Sequence, residues 1–100
     1  MSKVDWSNGA KGFVVAARKC LEYACFGPDP SQAPTIVMLH EGLGCVAHWR
    51  DAPLQISKAT GCGVFAYSRE GYGNSDDALL PRPLDYMTQE ATAVLPAVLK

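Results

Sequence analysis

A short apolar run that ends in a histidine and a glycine-rich turn constrains the fold of this chain more than any other feature. The run spans residues 35–39. It is followed directly by His40, Glu41, Gly42, Leu43 and Gly44. A continuous apolar run is typical of a strand that is buried on both faces of a parallel sheet. The glycine-rich end leaves backbone N–H groups accessible at the carboxyl edge of that sheet, where they can stabilise negative charge on a reacting oxygen.

The segment before this run predicts an antiparallel strand pair. Residues 1–11 are polar and are expected to form a loose N-terminal arm, with Trp6 as an anchor. Residues 12–26 are rich in β-forming residues, and their length suits two short strands with a turn near Ala17 and Arg18. A loop with three prolines then separates the pair from the apolar run.

The segment after the run predicts a helix, a second buried strand and a second helix. Asp51 and Pro53 suit the start of a helix, and Gly61 suits its end. Residues 64–67 are a second apolar run, and residues 85–100 have helical periodicity. The order strand, helix, strand, helix predicts an α/β fold in which the two strands are parallel.

The last helix is expected to bury one apolar stripe. Its members recur at helical spacing: Met87, Ala91, Val94, Leu95 and Val98. Pro96 should kink this helix, because proline removes one backbone hydrogen bond.

Composition and charge exclude several classes of partner. The net charge is −1 and the basic residues are scattered, which argues against nucleic acid or an anionic membrane. No apolar run reaches membrane-spanning length, and Met1 to Asp5 lack the apolar core of a signal peptide. Four cysteines have neither C-x-x-C nor zinc spacing, so we expect free thiols in a cytoplasmic protein without a metal or cofactor.

Two glycine-rich turns resemble motifs of the α/β-hydrolase superfamily. The turn from His40 to Gly44, with Trp49 after it, is similar to the H-G-x-x-G oxyanion turn. The segment Ser68-Arg69-Glu70-Gly71-Tyr72-Gly73-Asn74-Ser75 is similar to the D-x-x-G-x-G-x-S turn that follows the next strand. The resemblance covers residues 12–100. It implies the N-terminal part of an α/β-hydrolase domain, with an antiparallel strand pair and then parallel β-α-β-α.

The resemblance also implies roles for particular residues. Gly42 would supply one oxyanion N–H, and Leu43 is the neighbouring candidate. The residues that would support the site are His40, Gly44, Arg69, Gly71, Tyr72 and Gly73. Two departures stand out: Glu41 replaces a glycine of the first motif, and Ser68 replaces the aspartate of the second.

The nucleophile elbow G-x-S-x-G of this superfamily is absent from the 100 residues. We therefore interpret the chain as a partial domain, truncated before the elbow, from a serine-type hydrolase. The complete domain would act on a small ester, amide or C–C bonded substrate. The chain alone is predicted to be inactive, and to need the missing C-terminal half or self-association to cover an open sheet edge.

Two alternatives remain. Gly42-Leu43-Gly44-Cys45-Val46-Ala47 fits the G-x-G-x-x-A fingerprint of a Rossmann-like dinucleotide-binding module. The carboxylate of Glu41 would face the pyrophosphate, and Pro53 predicts a helix that starts beyond the glycines, which argues against it. The second alternative is a fragment that serves only as an interaction module.

Overall fold

The chain forms one four-stranded sheet in the order β1-β2-β4-β3. The computed structural model describes residues 4–40, 44–76, 78 and 86–99. The strands are β1 (Lys11–Ala16), β2 (Lys19–Phe26), β3 (Thr35–Leu39) and β4 (Gly63–Tyr67). β2 pairs antiparallel with both β1 and β4, whereas β3 and β4 are parallel. The predicted arrangement, an antiparallel pair followed by a parallel β-α-β unit, is confirmed.

The turn between β1 and β2 lies where the sequence predicts it. Ala16 pairs with Lys19, so the loop consists of Ala17 and Arg18 alone. Their φ angles are 51° and 66°. Two successive left-handed residues form a type I′ turn, whose twist matches that of the flanking strands. Glycine and asparagine usually occupy such positions, and this turn contains neither.

The helix between β3 and β4 starts and ends as predicted. Helix α1 (Ala52–Thr60) has Asp51 at its N-cap position and Pro53 in its first turn, although the Asp51 side chain makes no capping hydrogen bond. Gly61 ends the helix with a left-handed φ of 75°, and its N–H donates to the carbonyl of Ser57. Pro53 and Ser57 are the buried residues of α1.

The two parallel strands differ in how deeply they are buried. All five residues of β4 are buried, because β2 and β3 flank it and α1 packs on it. The prediction that residues 35–39 are buried on both faces is wrong: four residues of β3 are half-buried, and Leu39 is 52% exposed. The cause is position, since β3 is an edge strand of the described sheet.

The segment before β1 packs against the sheet over its described residues. Val4 is buried, and the Trp6 ring lies 5.1 Å from the Phe65 ring, centroid to centroid. The backbone N–H of Asp5 donates to the Tyr23 hydroxyl at 2.8 Å. Residues 4–10 are therefore held by the core through an anchor that includes Trp6.

The C-terminal helical region has a π-helical segment at its centre. It consists of α2 (Tyr86–Gln89), the π segment Glu90–Val94 and α3 (Leu95–Val98). Leu95 N–H donates to the carbonyl of Glu90, five residues back. One extra residue in a turn rotates the flanking faces by about 100° relative to each other.

The predicted apolar stripe is therefore only partly correct. Met87 and Ala91 are exposed, whereas Val98 is buried and Val94 and Leu95 pack against the core. Glu90, a polar residue outside the predicted stripe, is buried, whereas Met87 and Ala91 are not.

Candidate functional site

Both glycine-rich turns leave the same edge of the sheet. Leu39 and Tyr67 are partners at the carboxyl ends of β3 and β4, and His40 and Ser68 follow them. Parallel neighbours bring their C-terminal loops together, as the sequence predicts. The oxyanion candidates Gly42 and Leu43, with Glu41, lie outside the described residues.

His40 and Arg69 join the starts of the two turns through a reciprocal pair of hydrogen bonds. The backbone N–H of Arg69 donates to His40 Nε2 at 3.0 Å. Arg69 Nη1 donates to the backbone carbonyl of His40 at 2.8 Å. Both residues are only 5% exposed. Because Nε2 accepts a backbone N–H, it carries no proton and is already engaged, which suits a bracing histidine rather than a general base.

Tyr72 covers this pair of residues. Its ring centroid lies 4.8 Å from that of His40 at an interplanar angle of 57°. The Arg69 Cζ lies 5.2 Å from the centroid of the same ring. A guanidinium at this distance from an aromatic face is attracted by the quadrupole of the ring. His40, Arg69 and Tyr72, all predicted from the sequence, thus contact one another.

The second turn folds back on itself through two glycines. Tyr72 N–H donates to the Arg69 carbonyl at 3.0 Å, and Ser75 N–H donates to the Tyr72 carbonyl at 3.1 Å. Gly71 and Gly73 have φ angles of 87° and 53°, a region that glycine enters without steric cost. These glycines shape the loop beside His40 and Arg69.

The first turn ends in a small cavity. Gly44 is buried, Cys45 is extended, and Val46–Trp49 forms a 3-10 turn. A cavity of about 110 Å³ lies among His40, Gly44, Cys45, His48 and Trp49. Helix α1 begins only after this 3-10 turn, so its N-terminus does not follow the glycines directly. This geometry counts against a dinucleotide phosphate site, which needs the helix to start at the glycine turn.

Glu22 of β2 is a site residue that sequence reasoning missed. Its carboxylate accepts hydrogen bonds from the Ser68 hydroxyl and from the backbone and side chain of Asn74. The sequence carried one indirect signal. Ser68 stands where the resembled motif has aspartate, so another group had to hold the second turn.

A second polar pair connects the end of β4 to the C-terminal helical region. The Tyr67 hydroxyl donates to the Glu90 carboxylate, and both residues are buried. Burial and this hydrogen bond raise the pKa of Tyr67 well above its usual range. The pair ties the π segment of the C-terminal helical region to the end of β4.

The described part of the chain shows neither a metal-binding cluster nor a membrane-spanning helix. Among these residues, no three His, Cys, Asp or Glu side chains cluster so as to hold a metal ion. No helix in the same ranges is long and apolar enough to cross a bilayer. All four cysteines are free thiols.

The sheet order and the crossover helix have the arrangement of the N-terminal part of an α/β-hydrolase fold. No family model and no curated protein matches the chain. Among solved structures, it is similar to the Cif epoxide hydrolase from Acinetobacter nosocomialis, with 18% identity and a TM-score of 0.58 over 93% of this chain.

A second similar structure is a substituted form of aCif, with 17% identity and a TM-score of 0.58 over 94% of this chain. The chain spans about 30% of the length of either protein. At these identities the likeness establishes the fold.

Proposed function

We propose that this chain supplies the oxyanion-hole side of the active site of a serine-type α/β-hydrolase. The reciprocal hydrogen bonds between His40 and Arg69 carry the proposal, because they join the two turns at one edge of the sheet. The residue after His40 begins the turn that contains Gly42 and Leu43. A rigid start for that turn is what a preorganised oxyanion hole requires.

These hydrogen bonds suggest a role for each residue in the complete domain. The backbone N–H of Gly42, with Leu43 as the neighbouring donor, would receive the oxyanion as it forms. His40 would hold the turn and transfer no proton, since Nε2 is engaged by Arg69. The attacking nucleophile would come from an elbow that these 100 residues do not contain.

The substrate class is a small molecule with an ester, amide or C–C bond to be cleaved. One similar structure is an epoxide hydrolase by name, which adds an epoxide to the substrates worth testing. The rival dinucleotide module is less well supported, because α1 starts beyond the 3-10 turn.

The test compares the purified chain with a blank on a chromogenic short-chain ester and a chromogenic epoxide. We expect no burst and no turnover above the blank, because the hole alone cannot replace a nucleophile. Stoichiometric acylation of a serine or of Cys45, read by mass spectrometry, would overturn this expectation. The coding sequence beyond Lys100 gives the complementary test: a strand followed by G-x-S-x-G supports the serine-type proposal, and its absence there contradicts it.

The open edge of the sheet belongs to the same proposal. The outer backbone groups of β3 have no partner strand in the described sheet, and Leu39 is exposed beside them. Such an edge favours pairing with another strand. We therefore propose that the remaining, larger part of the domain, or a second copy, covers it. Size-exclusion chromatography should show self-association of the isolated chain, and a compact cooperative monomer would contradict the idea.

A further inference from the structure

The second turn has Ser68 where the resembled motif has an aspartate, and a carboxylate on the neighbouring strand β2 accepts a hydrogen bond from this serine. We propose that Glu22 is a positioning residue that fixes the second glycine-rich turn relative to the 3-10 turn that follows Gly44. A role of Glu22 in a hydrolase site rests on the proposed function. The hydrogen-bond network around Glu22 does not, because it consists of contacts within this chain.

The Glu22 side chain binds the second turn directly. Glu22 Oε2 accepts from the Ser68 hydroxyl at 2.6 Å and from the backbone N–H of Asn74 at 3.0 Å. Glu22 Oε1 accepts from Asn74 Nδ2 at 3.1 Å. Three donors from the turn therefore converge on one carboxylate. Hydrogen bonds to an ionised acceptor are about twice as strong as neutral ones.

Ser68 also connects Glu22 to the 3-10 turn that follows Gly44. The Ser68 hydroxyl, which donates to Glu22, accepts the backbone N–H of Val46 at 2.8 Å. A hydroxyl has a single proton, so its donation to Glu22 leaves a lone pair directed at Val46. Ser68 is fully buried, and water cannot replace either partner. Val46 opens the 3-10 turn that lines the cavity next to His40.

The backbone of Glu22 also binds the second turn. Ser68 N–H donates to the Glu22 carbonyl at 3.0 Å and so continues the β2–β4 ladder. The reverse link runs through Ser75, whose hydroxyl accepts Glu22 N–H at 2.9 Å and donates to the Ser68 carbonyl at 2.6 Å. The second turn is thus hydrogen-bonded to both the main chain and the side chain of Glu22. The Glu22 carboxylate on the neighbouring strand can in this way hold the second turn, as the carboxylate of an aspartate at position 68 would.

The test is amide hydrogen exchange followed residue by residue with NMR on the uniformly labelled chain. Glu22→Gln keeps the shape and removes the charge and one acceptor oxygen. We expect exchange at Asn74 and Val46 to accelerate roughly tenfold or more, while the β1–β2 ladder keeps its protection. Returning a carboxylate by Ser68→Asp in the Glu22→Gln background should restore protection at both amides. Asp51→Asn, at an exposed residue whose side chain makes no capping bond, is the matched acid-to-amide control.

Unchanged exchange at Asn74 in Glu22→Gln would overturn the proposal, as would equal acceleration across the sheet or a Ser68→Asp variant without rescue. If Glu22→Gln does not fold, Ser68→Ala decides. Acceleration at Val46 with Asn74 still protected supports the connection through Ser68, and unchanged exchange at Val46 refutes it. No substrate enters this experiment, so its failure leaves the hydrolase proposal standing, and failure of the ester assay leaves this result standing.

Discussion

Gly73 offers a stringent stability test of the network around Glu22. A Cβ built on Gly73 would lie 2.0 Å from Glu22 Oε2, 2.9 Å from Ser68 Oγ and 3.0 Å from Cys45 Cβ. The φ angle of Gly73 is +53°, where an L-residue is also strained. Gly73→Ala therefore combines backbone strain with displacement of the Glu22 carboxylate from its donors.

The expected cost can be divided into two parts. Backbone strain at a positive φ costs about 1–2 kcal/mol, partly offset by the lower entropy of the unfolded alanine chain. Loss of the hydrogen bonds to the charged Glu22 carboxylate adds about 1.5–3 kcal/mol. Gly73→Ala should therefore lower the free energy of unfolding by about 3–4 kcal/mol.

Urea unfolding monitored by tryptophan fluorescence measures this cost. All variants are compared at the same low protein concentration, so that self-association contributes equally. Gly9→Ala and Gly61→Ala are the matched controls, because these glycines have φ angles of 81° and 75° and nothing within 4 Å of the added Cβ. They should lose only the strain part, about 1 kcal/mol.

A double-mutant cycle identifies Glu22 as the cause. In a Glu22→Ala background the principal clash is gone and only the close contacts with Ser68 Oγ and Cys45 Cβ remain, so Gly73→Ala should cost about 2 kcal/mol less than in the unsubstituted chain. The coupling between positions 22 and 73 should then be about 2 kcal/mol. Additive costs, or a Gly73→Ala variant as stable as Gly61→Ala, would refute the reasoning.

Two further predictions concern buried titratable groups. Burial, and next the hydrogen bond to Glu90, raise the pKa of Tyr67 above its ordinary value of 10.0. Above about pH 10 the unfolded state then binds fewer protons than the folded state, so stability should fall as pH rises. Tyr67→Phe should cost about 1.5–3 kcal/mol at neutral pH by leaving Glu90 without its donor. It should also reduce the alkaline decline in urea melts, and an unchanged decline would count against the argument. Burial, and next the charge of Asp5, raise the pKa of Cys25 to about 12. In Ellman's assay near pH 8.5, Cys25 should therefore react only as fast as the protein unfolds, after the partly exposed Cys20, Cys45 and Cys62. One fast phase for all four thiols would contradict this.

Local signals in the sequence were sufficient for most of the secondary structure. Pro53 and Gly61 mark where α1 starts and ends, and the apolar runs indicate β3 and β4. These features depend on neighbours along the chain. The exposure of β3 depends instead on which strand lies beside it: the apolar pattern alone predicted burial on both faces, whereas the family resemblance implied an open edge there.

The π segment and the role of Glu22 could not be predicted for a related reason. Periodicity assumes regular turns, so an inserted residue at Glu90–Val94 turns Met87 away from the core without any warning in the pattern. Glu22 meets Ser68 from 46 positions away, through pairing of β2 with β4. The proximity of His40 and Arg69 could be predicted, because His40 directly follows β3 and Arg69 lies two residues after the end of β4.

The type I′ turn at Ala17 and Arg18 has a consequence for the order of folding. Each left-handed residue other than glycine costs about 1–2 kcal/mol, and an isolated hairpin has little to offset that cost. β2 also pairs with β4, so the sheet can hold β2 in place before the turn closes. The hairpin is therefore a poor folding nucleus despite its short range. We expect β1 to join last, once the longer and slower closure between β2 and β4 has been made.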